Sequence, residues 1–138
     1  MPNLIELHRR TMTSPHYARQ IAETCNSLGE RDKAMRFFEQ VTHINPYEVS
    51  AYRAMAALHL RARRYASAVE AVERVCTLQP ESAEAWTELA MVRYRAGLAD
   101  DDAERLRRAK QAAERALELE PGGPAGHVLK LVEKALER

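Results

Sequence analysis

Two stretches, "LGERDKAMRFFEQVTHINP" (Leu28–Pro46) and "ARRYASAVEAVERVCTLQP" (Ala62–Pro80), align without a gap, and each ends on a proline. Ala34 falls on Ala68, Phe38 on Val72, Val41 on Val75 and Ile44 on Leu78. A third copy, "AKQAAERALELEP", closes at Pro121 and puts Ala109, Ala113, Ala116 and Leu119 at the same spacings. Apolar residues three and four apart mark one face of a helix. Self-similarity at a fixed period means units that bury a shared core by stacking. A second helical segment precedes each copy: "YARQIAETCNSLG", "SAYRAMAALHLRAR" and "AEAWTELAMVRYRAG". The pattern predicts two helices per unit, three units and one further helix at the end of the chain.

Each recurring residue has a physical task. Ala22, Ala56 and Ala90 in the first helices, and Ala34, Ala68 and Ala109 in the second, let two backbones approach closely as an antiparallel pair. Ile21, Met55 and Leu89 fill the space on the first helices, as Phe38 and Val72 do on the second. The closing prolines cannot continue a helix and disfavour helical geometry in the residue before them, so each marks a turn into the next unit.

The 34-residue period, the Trp/Tyr-x2-large-small pattern (Tyr52, Met55, Ala56; Trp86, Leu89, Ala90), the later small-x3-large spacing and the final proline resemble the tetratricopeptide repeat family over roughly 15–121. The resemblance implies an all-α fold: a right-handed α-solenoid of three antiparallel helix pairs with a terminal capping helix. The expected division is an N-terminal segment at 1–14, repeats at 15–48, 49–82 and 83–123, and a capping helix at 124–138. In that family position Trp86 packs between helices and holds the fold up. Two departures stand out. Ala18 occupies a position where the family prefers a large aromatic, with Tyr17 one residue early. The step from Pro80 to Pro121 overshoots the step from Pro46 to Pro80 by seven positions, and the excess falls around "GLADDDAERL". An extended loop plus an extra helical turn, capped by Asp100, Asp101 or Asp102 and with Glu104 at the positive end of the following helix, accounts for it. A calcium loop needs alternating ligands and a central glycine, which contiguous aspartates do not provide.

Composition excludes several classes of function. The chain has 138 residues, enough for one domain with a real core, and 21 Lys+Arg against 20 Asp+Glu give no global field toward nucleic acid or membrane. The best basic run, "RARR" beside Tyr65, sits at a helix end and lacks the aromatic interleaving of a nucleic-acid surface. No apolar run is long enough for a signal peptide or a membrane span, so a cytoplasmic protein is expected. Cys25 and Cys76 form no CxxC and cluster with no histidine, and the five histidines make no ligand pair. Both cysteines read as buried, reduced thiols. No metal or other cofactor is expected, and without a glycine-rich phosphate loop or a nucleophile elbow neither is an enzyme. Seventeen arginines beside four lysines, with many alanines, give the chain a bacterial character.

Proteins of the family that this chain resembles line a concave groove with the first helix of each pair and grip a peptide there. Carried onto this sequence, the groove would be lined by Arg19, Glu23 and Asn26 in the first unit, Arg53, Ala57, Leu60 and Arg61 in the second, and Thr87, Met91, Tyr94 and Arg95 in the third. An apolar patch bordered by arginines suits a peptide with apolar anchors and acidic neighbours. Family members that hold the C-terminal carboxylate of heat-shock chaperones place cations and asparagines where this chain has Arg19, Glu23, Ala54, Glu84 and Glu88, so that tail is not expected to bind. The expected partner is a segment of another protein. Two alternatives are a small secretion-type chaperone for an exported subunit and a self-assembling solenoid. In "GPAGHVLKLVEKALER", the stripe Val128, Leu129, Val132, Ala135 and Leu136 either caps the core or forms a homo-oligomer contact.

Overall fold

The computed structural model describes residues 29–137, and among these there are six α-helices and no strand. They are α1 (Arg31–Ile44), α2 (Val49–Arg61), α3 (Tyr65–Leu78), α4 (Ala83–Asp100), α5 (Ala103–Leu119) and α6 (Ala125–Leu136). The starts of α1 and α3, the ends of α1 and α3, and the starts of α2 and α4 are each separated by the same period as Pro46 and Pro80. Each helix packs on its neighbours along the chain, and α6 also reaches back to α4, the arrangement of a stacked helical-repeat solenoid.

The small positions are where backbones meet. Ala34, Ala68, Ala90 and Ala109 are fully buried and Ala56 nearly so, with Phe38, Val72, Val41, Val75 and Leu89 filling the layers between. One core runs from Ala56 on α2 through α3, α4 and α5 to Val128 and Val132 on α6. A smaller one joins α1 to α2 through Phe37, Phe38, Val41, Ala51 and Leu58, and Met55 packs against both. Ile44 departs from its expected place in the stripe: it is the last residue of α1 and is 47% exposed. Ala22, Ile21, Cys25 and the segment 1–14 lie outside the described residues.

The seven extra positions do not make a loop. Helix α4 is 18 residues long against 13 for α2, and α5 is 17 against 14 for α3. The connection between α4 and α5 is Asp101–Asp102, one residue shorter than Ala62–Arg64 between α2 and α3. The aspartates are the reason. Asp101 takes the left-handed conformation (φ 51°) that ends α4, and the Asp102 carboxylate accepts hydrogen bonds from the backbone N–H of Glu104 and Arg105, capping α5 at once. Arg105 pairs with Asp100 and Asp102 across the turn. Gly97 permits the lengthened helices to stay in contact: a Cβ there would lie 2.8 Å from Cγ and Cδ2 of Leu106.

Trp86 and Tyr52 show what the repeated aromatic does. Trp86 Nε1–H donates to the Pro80 carbonyl at 2.9 Å, and Tyr52 O–H donates to the Pro46 carbonyl at 3.1 Å, while both rings pack against the main core. The two bonds stand at the same position of successive units, and each ties a first helix to the proline that ends the preceding unit. A half-buried aromatic with a polar handle is well suited to this task.

Candidate functional site: the face of α2 and α4

An ion pair fixes which sides of the first helices face one another. Arg53 Nε on α2 stands 3.2 Å from Glu88 Oε2 on α4, with both side chains about 30% exposed. From Arg53 the helical period runs to Ala57 and then to Leu60 and Arg61. From Glu88 it runs to Met91, to Tyr94 and Arg95, and to Leu98. The sequence-predicted residues of the second and third units therefore share one surface.

They are not equivalent on it. Leu60, Met91 and Tyr94 are half-buried against the core, so they form a firm floor rather than free anchors. Ala57, Arg61 and Arg95 are exposed. Arg53 is neutralised by Glu88, and the Thr87 hydroxyl donates to the Ala83 carbonyl of its own helix at 2.8 Å. Arg19, Glu23 and Asn26 lie outside the described residues. One exposed residue on this surface, Leu98 (44% exposed), did not emerge from the sequence. It stands on the turn added by the insertion, two helical turns after Met91, and that spacing was the available signal.

A second arginine acts behind the face. Arg93, only 19% exposed, donates through Nη1 to the Arg108 carbonyl on α5 at 3.2 Å, and its Nη2 lies 3.7 Å from Glu73 on α3. Burial lowers its pKa, and the Glu73 carboxylate pulls the other way. It is a staple through three helices. Cys76 is buried, donates to the Ala85 carbonyl at 3.3 Å, and has its thiol pushed up to about 11 by desolvation, so it is a packing residue and a poor nucleophile. Among the described residues no group of His, Cys, Asp and Glu could hold a metal ion, and no helix is long and apolar enough to cross a membrane.

The apolar stripe of α6 is turned inward. Val128 and Val132 are buried in the main core, and Leu129, Ala135 and Leu136 pack against it. His127, Lys130, Glu133 and Lys134 point to solvent.

These features define an all-α helical repeat protein. Two models of the tetratricopeptide repeat match, over 20–48 and over 49–92, together more than half of the chain. The chain belongs to the tetratricopeptide repeat family. Among solved structures it is similar to the first such domain of Spaghetti (RPAP3) bound to HSP90 peptide SRMEEVD, with TM-score 0.70, 20% identity, and coverage of 91% of this chain and 98% of that one. It is likewise similar to the Sgt2 domain from Aspergillus fumigatus, with TM-score 0.69 and 21% identity over 89% of this chain and 79% of that one. A 60-residue stretch, 44% of this chain, is 32% identical to the general transcriptional corepressor trfA of Dictyostelium discoideum, of which it spans 4%.

Proposed function

We propose that this protein is a non-catalytic interaction module that takes a segment of a partner protein against the first helices of its repeats, in three units at 15–48, 49–82 and 83–123. The observation that carries this reading is the α2–α4 face. Leu60, Met91 and Tyr94 keep part of their apolar surface in water beside the exposed Arg61 and Arg95. Apolar floor with charged margin is the composition of a peptide-binding surface. Peptide-bound relatives of the same fold support the reading in general terms. A chaperone tail ending in a free carboxylate is not the ligand we assign: Glu84 is exposed, and Glu88 is already engaged with Arg53.

Site-specific photo-crosslinking tests this in the cells that make the protein. A photoreactive phenylalanine analogue at Tyr94 should trap one discrete partner, and the same analogue at Gln111, exposed on α5, should not. Trapping at Gln111 alone would place recognition on the other side of the molecule. Crosslinked species made only of this chain would favour self-assembly, and one aggregation-prone subunit held by many positions would favour the chaperone reading.

A further inference from the structure

The α2–α4 face is electrically divided. In the first half of α4 it carries Glu84, exposed, and Glu88, paired with Arg53 of α2. Toward the ends of the two helices it carries Arg61 and Arg95, which occupy the same position of successive units. Both are exposed, and among the described residues neither holds a carboxylate, whereas Arg53, Arg93 and Arg105 each do. Ala57, Leu60, Met91 and Tyr94 lie beside these two cations. The added turn of α4 extends the apolar stripe by one residue, Leu98, three positions after Arg95 and 44% exposed.

Resting on the capture reading, we propose that the segment taken here is an internal acidic and apolar stretch of another protein. Two of its Asp or Glu side chains pair with Arg61 and Arg95, and an apolar side chain rests on Met91 and Leu98. Charge complementarity selects this occupant. A guanidinium binds a carboxylate through two parallel hydrogen bonds, and two such groups one unit apart match two side chains along a chain better than one terminal carboxylate. A basic segment is repelled at this end. At the α4–α5 turn Asp100 is held by Arg105 and Asp102 caps α5, which leaves only Asp101 of the molecule's own acidic stretch exposed without such a partner.

The test is selection of random displayed peptides on the immobilised full chain, run in parallel on wild type, on Arg61→Glu/Arg95→Glu and on Met91→Asp, each checked for helicity by circular dichroism. A peptide from the wild-type pool is then remade with an amidated C-terminus and titrated by fluorescence anisotropy, beside SRMEEVD and a single-stranded DNA oligonucleotide. The expected result is a wild-type pool rich in Asp or Glu together with Leu or Phe, and a charge-reversed pool rich in Lys or Arg. The amidated peptide should bind wild type at least tenfold more tightly than the reversed variant, and more weakly as salt rises. Apolar peptides enriched equally on wild type and the reversed variant but lost on Met91→Asp would overturn the acidic specificity and leave peptide capture standing. Loss of binding on amidation, or arginine-dependent binding of the oligonucleotide with no acidic peptide selected, would also overturn it. No enriched peptide on any chain would remove the capture reading as well.

Discussion

Arg63 occupies a backbone position that suits glycine better. Its φ of 59° matches the 73° of Gly29 one repeat earlier and the 51° of Asp101 at the equivalent turn of the next unit. A left-handed arginine costs about 1–2 kcal/mol and the greater freedom of unfolded glycine takes back about 0.5–1 kcal/mol, so Arg63→Gly should raise stability by roughly 0.5–1 kcal/mol. Thermal unfolding measures it. His59 makes a second prediction. Its Nδ1 is buried without a hydrogen-bond partner, and desolvation, then Arg64, lower its pKa against the opposing pull of Glu39 and Glu70. A histidine that is harder to protonate folded than unfolded stabilises fully above its ordinary value of 6.5, and that contribution falls away as pH drops through it. Denaturant midpoints should therefore fall between neutral and mildly acidic pH, and His59→Gln should flatten that slope. Cys76, in a Cys25→Ser background, should resist a thiol reagent until the chain is unfolded.

Among the described helices α4 and α5 make the most extensive contact, and the insertion is the reason. Gly97→Ala would gain about 1 kcal/mol of helix propensity but drive a methyl into Leu106, an overpacking cost of roughly 1–3 kcal/mol. We expect net destabilisation in chemical denaturation, partly relieved by Leu106→Val. Asp102→Ala should cost about 1 kcal/mol through loss of the cap. At this scale most of the architecture was legible, because the Ala34/Ala68 and Val41/Val75 correspondences and the prolines are local signals that tertiary packing does not override. The fate of the insertion was not legible. Three contiguous aspartates read equally well as a loop or as a helix stop followed at once by a cap, and only the left-handed Asp101 decides between them. The Arg53–Glu88 pair and the Arg93 staple were hidden for a related reason: both join side chains from different helices, which no single-helix periodicity reports.

For the whole molecule, the direction of the α6 stripe decides how its end behaves. Val128 and Val132 close the core, so Val128→Glu buries a charge and should lower stability by several kcal/mol. Light scattering on the folded fraction should show the same mass before and after the change. Trp86→Phe should cost about 1 kcal/mol through the bond to the Pro80 carbonyl while leaving recognition intact, since the ring holds units together and does not face a ligand. In the proposed reading the tasks are separate: aromatics and alanines stack the units, and the exposed stripe of α2 and α4 is left to read a partner.

The most direct test of that division is hydrogen exchange read by mass spectrometry, on the full chain with and without the partner segment recovered from the Tyr94 crosslink. Slowed exchange is expected in α2 over 53–61 and in α4 over 87–98, with α5 over 103–118 unchanged. Protection confined to α3 or α5, with α2 and α4 unaffected, would contradict it.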